Sequence, residues 1–165
     1  MRIYDEIKIN DLYETNKKRA SDKLKEIEVF CGNEPNLLGL NGWVYEQTIQ
    51  YCIKKELIRK NIKAQISEQV TLKSRSKVDL KINNIAIEIK TSGLYHIKDI
   101  DKYNKYMKIA KSKGLKYLYL SGSESYKKYK EGMIAALGKE CSFFLDEQRE
   151  WDRFMNTIES LLASS

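Results

Sequence analysis

One histidine, one proline and three cysteines in 165 residues leave few routes to several familiar chemistries. His96 stands alone, so there is no histidine metal cluster and no convincing Ser-His-Asp constellation, and it reads as a loop residue. Cys31, Cys52 and Cys141 are odd in number, widely spaced and outside C-x-x-C pairs, so neither a disulfide framework nor a zinc or iron–sulfur site is supported. Free thiols suit a reducing compartment. No stretch approaches the run of about 18 apolar residues that a membrane span needs. The opening Met1-Arg-Ile-Tyr-Asp-Glu6 does not have the make-up of a signal peptide, so a soluble, cytoplasmic protein is expected. Repeats, low-complexity tracts and linkers are lacking too, and the length suits one domain with a real core. Residues 1–165 are therefore taken as one unit, with an N-terminal helical extension to 40, a core over 41–121 and a C-terminal part from 122.

What is present is charge. Thirty Lys and Arg against 23 Asp and Glu give a formal net charge of +7, which favours a polyanionic partner such as nucleic acid without naming one.

Periodicity supplies the elements. Leu12, Ala20, Leu24, Ile27 and Phe30 recur at helical spacing over about 11–30, an amphipathic helix suited to scaffold or dimer contacts. Residues 31–42 hold the only proline and three of the eight glycines and are expected to be a loop. A second helix should start at Asn41 as N-cap and run to Ile58, with Trp43, Glu46, Ile49 or Gln50, Ile53 and Leu57 on its inner stripe. Glu46 would then be an acid among apolar residues, where an uncompensated charge is costly. Residues 62–72 alternate as a strand, with a bulge near Ser67-Glu68.

A third helix over 97–112 puts Ile100, Tyr103, Met107 and Ala110 on one face and Lys98, Lys102 and Lys105 opposite. Gly114 ends it, Leu115–Leu120 is a buried strand, and a fourth helix over 124–137 carries Tyr126, Tyr129, Met133, Ile134 and Leu137 inward. Cys141–Leu145 is a last strand, and 147–163 a terminal helix with Trp151, Phe154, Ile158, Leu161 and Leu162 on its apolar side.

The most specific stretch is Lys77–Thr91. Asn83-Asn84 divides two alternating β-branched runs, and asparagine tolerates the positive φ of a two-residue hairpin turn. In that register Ile82 faces Ile85, Leu80 faces Ile87 and Val78 faces Ile89, one unbroken apolar face. The other face pairs Lys81 with Ala86, Asp79 with Glu88 and Lys77 with Lys90. Two carboxylates opposite one another repel, and a hard divalent cation such as Mg²⁺ would relieve them. The basic segment Lys73-Ser-Arg75-Ser-Lys77 adjoins Asp79 and can hold phosphates.

Asp79 followed by Glu88-Ile89-Lys90 resembles the active-site signature of the PD-(D/E)XK nucleases, the restriction-endonuclease-like fold, with Val78 where that signature often has proline. Glu46 matches a glutamate that many members carry on the helix before the sheet. The resemblance spans about 41–121. It implies an α/β fold with an αβββαβ core, a mixed central sheet flanked by helices, and extra helices at both ends.

It also implies Mg²⁺-dependent DNA hydrolysis, with Mn²⁺ able to substitute. Asp79, Glu88 and the carbonyl of Ile89 would hold the metal, Lys90 would orient the attacking water, and Glu46 would hold a second metal directly or through water. DNA phosphates would meet Lys73, Arg75, Lys77, Lys98, Lys102 and Lys105. A small type II-like restriction endonuclease acting as a homodimer is the first expectation. A Holliday-junction resolvase or repair nuclease is the second, and a non-catalytic DNA-binding or assembly module the rival from another class. Glu88-Ile-Lys-Thr-Ser92 is similar to the RecB-type exonuclease branch too, but the glutamine motif expected on the following helix is absent.

Overall fold

Runs of Ile, Leu, Tyr and Phe, buried on both faces in β3, β4 and β5, build a five-stranded mixed sheet in the order β1-β2-β3-β4-β5. The strands are β1 Ile66–Lys73, β2 Ser76–Ile82, β3 Ile85–Lys90, β4 Lys116–Ser121 and β5 Ser142–Phe144. The first three meander antiparallel, whereas β4 and β5 each add in parallel and need a crossover. Among five helices, α3 Lys98–Ser112 and α4 Lys127–Leu137 supply those crossovers; α1 Glu6–Cys31, α2 Leu37–Arg59 and α5 Glu150–Ala163 complete the fold. The chain is seen in a computed structural model that describes residues 1–31, 37–92, 94, 96–123 and 126–165, those at 27–31 and 37–38 by backbone alone.

The period-two alternation divides the core in two. Ile85, Ile87, Ile89, Leu118, Leu120 and Phe143 pack with α1, α2 and α5, while Ala86, Tyr117, Tyr119 and Phe144 pack with α3 and α4. The result is three layers, helices on both faces of the sheet. Among the described residues no helix is long and apolar enough to cross a membrane.

The chain start is tied to its last helix. Arg2 reaches Asp152, Asn156 and Glu159, and Trp151 donates its N–H to Glu6 at 2.7 Å. Glu56 of α2 is fully buried yet satisfied, accepting the N–H groups of Ile3 (2.7 Å) and Tyr4 (3.0 Å) and Arg59 Nε (3.2 Å).

Several expectations need correction. Helix α1 begins at Glu6, five residues early, and α2 at Leu37, so Asn41 lies inside the helix and is no N-cap. Of the expected loop 31–42, residues 32–36 lie outside those described and 37–42 are helical. Leu40 packs on the core, and that burial outweighs the helix cost of Gly42. A Cβ at Gly42 would meet nothing within 4 Å, so Gly42→Ala should stabilise the chain by about 0.5–1 kcal/mol. Thermal denaturation checks this, since a lower midpoint would contradict an open helical site.

The inner stripe of α2 is Val44, Tyr45, Thr48, Ile49, Cys52, Ile53, Glu56 and Leu57, so Trp43, at 57% exposed, is off it and Glu46 sits half-buried at its edge. Strand β1 starts at Ile66, with Ile62 and Ala64 packing on the core before it; the register shift falls between Thr71 and Lys73, while beside the expected Ser67-Glu68 bulge Gln69 takes a positive φ and leaves the ladder. Helix α4 starts at Lys127, which leaves Tyr126 58% exposed ahead of it, and α5 starts at Glu150. Ile27 and Phe30 of the expected α1 face, and Glu124 of the expected α4, lie outside the described side chains. The stripe of α3 is as expected, and Gly114 ends that helix at φ 73°.

Candidate active site

The β2–β3 turn is Asn83-Asn84, with Asn83 at φ 51° and its Oδ1 accepting the Gln65 N–H at 2.8 Å. From that turn the ladder runs Ile82↔Ile85, Lys81↔Ala86, Leu80↔Ile87 and then stops. The expected pairs Asp79 with Glu88, Val78 with Ile89 and Lys77 with Lys90 do not form in it. In their place Asp79 turns its carboxylate into the gap, where Oδ2 accepts the Ile89 N–H at 2.8 Å.

The cause lies one strand away. Glu68↔Leu80 and Val70↔Val78 bracket a position where Gln69 faces Asp79, and this position drops out of the β1–β2 ladder. Gln69 has φ 50°, a left-handed backbone that costs a non-glycine residue about 1–2 kcal/mol. Such a residue reverses the alternation. Ile66, Leu80 and Ile82 pack toward α1, α2 and α5, whereas Val70, Leu72 and Val78 pack toward α3 and α4. The single apolar face expected for the hairpin is therefore broken at Asp79, and Val78 belongs to the opposite cluster.

This reversal puts Asp79 at the boundary of the two clusters, with Glu46 reaching it from α2. Gln69 Nε2 lies 3.3 Å from Asp79 Oδ1 and 3.4 Å from Glu46 Oε2, an amide between two acids. Glu88 is 5% exposed and Asp79 9%, so both are buried and do not lie on the solvent-facing surface expected of a charged hairpin face. Lys90 Nζ pairs with Glu88 Oε1 at 3.1 Å and lies 5.6 Å from the Tyr103 ring centroid.

Electrostatics follow from this crowding. Burial first, then the charges of Asp79 and Glu88, push the Glu46 carboxyl up to about 8, with Lys90 opposing. Burial and Asp79 push Glu88 up to about 7, with Lys90 and Lys102 opposing. For Lys90 burial alone would lower the pKa, but Glu88, Tyr103 and Asp79 outweigh it and the ammonium is held firmly. Burial likewise raises Tyr103 to about 12.

Among the described residues no three His, Cys, Asp or Glu side chains form a preassembled metal group. A cation nonetheless fits the chemistry present. Glu88 Oε2 is buried without a hydrogen-bond partner among the described residues, the Glu46 and Asp79 carboxylates share the Gln69 amide, and Mg²⁺ needs only one or two carboxylates plus water and phosphate.

The expected phosphate contacts divide in two. Lys73, Arg75 and Lys77 are exposed at the β1–β2 turn, where Ser74-Arg75 reverses the chain. Lys98, Lys102 and Lys105 are exposed on α3, and of these Lys102 packs on Tyr103 and Tyr106 and bears on Glu88. His96 is an exposed loop residue, as expected. Gln69 escapes a reading of the sequence, since nothing in Ile66–Lys73 marks a glutamine for positive φ. Comparison with protein-family models, curated proteins and solved structures finds no match to this chain.

Proposed function

We propose that this chain is a metal-dependent DNA endonuclease of the PD-(D/E)XK kind, most simply a type II-like restriction endonuclease working as a homodimer. The observation that carries this is the convergence of Glu46, Asp79, Glu88 and Lys90 where β2 and β3 part. The order α2-β1-β2-β3-α3-β4 supports it, being the αβββαβ sequence expected of that fold. A charged hairpin that served only solubility would have no cause to bury two acids and orphan an oxygen of one.

Asp79, Glu88 and the Ile89 carbonyl would hold Mg²⁺ or Mn²⁺, with Glu46 as a further carboxylate. When bound, the ion would polarise the scissile phosphate and lower the pKa of a coordinated water. The chain's own residues do the rest. The Ile89 N–H fixes the Asp79 carboxylate, so that this acid needs no reorganisation on binding. Glu88 holds the Lys90 ammonium beside the site, where it can donate to the attacking water and to developing negative charge. The lysines of α3 and the β1–β2 turn would meet flanking phosphates.

Digestion of a long linear duplex in Mg²⁺ tests the function. One active site per chain must cut two strands, most simply as a C₂ dimer on a roughly palindromic site, so a fixed ladder of fragments is expected. Cleavage of a four-way junction alone would replace restriction by junction resolution. No cleavage of either, in Mg²⁺ or Mn²⁺, would favour a binding module.

A second measurement concerns the lysine track. Replacing Lys98, Lys102 and Lys105 together by alanine should weaken binding to all sequences and reduce the slope of log K against log salt by about one for each phosphate no longer neutralised. An unchanged slope would leave that stripe to solvent.

A further inference from the structure

We propose that the Gln69 side-chain amide occupies the position between Glu46 and Asp79 that a divalent cation takes, and that it must swing out for the cation to bind. This rests on the cation-site reading above.

The geometry sets the amide apart from an ordinary strand contact. One NH₂ group approaches an oxygen of each acid, at 3.3 and 3.4 Å, so a cation held by both carboxylates would compete with it for those oxygens. Both contacts are long for N–H···O hydrogen bonds, and hence weak enough to exchange. A primary amide carries two donors, which lets it serve two acceptors as a neutral stand-in for a positive charge. Gln69 is itself exposed while its amide reaches the two acids, and the ladder opens at the same pair, so the side chain can swing toward solvent without breaking a strand hydrogen bond between Gln69 and Asp79. Gln69 is thus a positioning residue: it keeps the acids together without a cation and competes with the cation afterwards.

The test is calorimetric titration of the full chain with Mg²⁺ alone, and with Mn²⁺ alone, beside Gln69→Gly. Glycine adopts φ 50° without strain, so this variant removes the amide and leaves the backbone free to keep its path. Losing a competitor held by two weak contacts should tighten cation binding about three- to tenfold. The thermal shift on adding Mg²⁺ should grow with it, a change that a merely structural role for Gln69 would not produce. Gln69→Asn is the second variant, for asparagine also tolerates positive φ but is too short to span both acids, and the same tightening is expected if the glycine variant folds poorly. Equal or weaker binding in the variants than in the parent would overturn the displacement and leave the cation site standing. Failure of the parent chain to take up either ion would overturn both.

Discussion

With duplex DNA and Mg²⁺, Lys90→Ala and Asp79→Asn are expected to cleave about 100- to 1000-fold more slowly than the parent chain. Asparagine is the sharper change at position 79. Asp79 Oδ2 accepts the buried Ile89 N–H, and alanine would orphan that donor at a cost of about 1–3 kcal/mol, mixing lost chemistry with lost stability. Asparagine keeps an acceptor and removes the charge. Lys90→Ala frees Glu88 Oε1 of its ion-pair partner while the β3–β4 register through Lys90↔Ser121 remains. Glu46→Gln should slow cleavage less, about tenfold, if that acid only supports the metal. Parent-like rates in the first two variants, with folding verified by circular dichroism, would remove the nuclease assignment.

The second large effect is on pH. Glu88 and Glu46 lie at about 7 and 8 in the folded chain without a cation, so below neutrality a divalent ion must displace protons to bind. Each proton released weakens affinity about tenfold per pH unit, so two coupled acids imply a fall on the order of 100-fold or more between pH 8 and pH 6. Titrations in buffers of different ionisation enthalpy count those protons, and a pH-independent affinity would contradict the coupling. The same shifts fix the sign for stability. Both carboxyls are raised above the unfolded value of 4.5, so their contribution is present in full below that pH and lost as pH rises through about 7 and 8. Without a cation the chain should therefore lose stability as pH rises from about 4.5 to about 8. Glu88→Gln should lessen that loss by removing the buried charge.

Much of the fold is legible in the sequence, and the legible part is local. The Asn83-Asn84 turn, the α3 stripe with its outward lysines and the strand ending at Ser121 follow from turn chemistry and from periods of 2 and 3.6 that a short window reveals. Glu46 can be named because an acid in an apolar stripe is costly, Asp79 and Glu88 because like charges expected opposite one another repel, and Lys90 only through the resemblance to the nuclease signature. What escapes depends on distant partners. Glu56 is more buried than Glu46, yet its neutralising N–H groups come from Ile3 and Tyr4, more than 50 residues earlier. Trp43 takes the wrong helical phase in a periodicity reading, because a helix that is apolar on adjacent positions such as Val44-Tyr45 and Ile49 does not declare its inner edge. The reversal at Gln69 has no signature at all, since a left-handed glutamine inside a strand is set by tertiary packing against local propensity.

The tie between the chain start and α5 has a consequence during synthesis. Glu6 waits 145 residues for the Trp151 N–H, and Arg2 waits longer for Glu159. At ribosomal speeds that is on the order of ten seconds or more in which Arg2 and Glu6 lack these partners. Helix α1 can form and pack on α2 early, but the ties from Arg2 and Glu6 to α5 close only when α5 has emerged. Amide exchange of stalled nascent chains ending before residue 150 should show Ile3 and Tyr4 less protected than in the finished protein, despite the presence of Glu56.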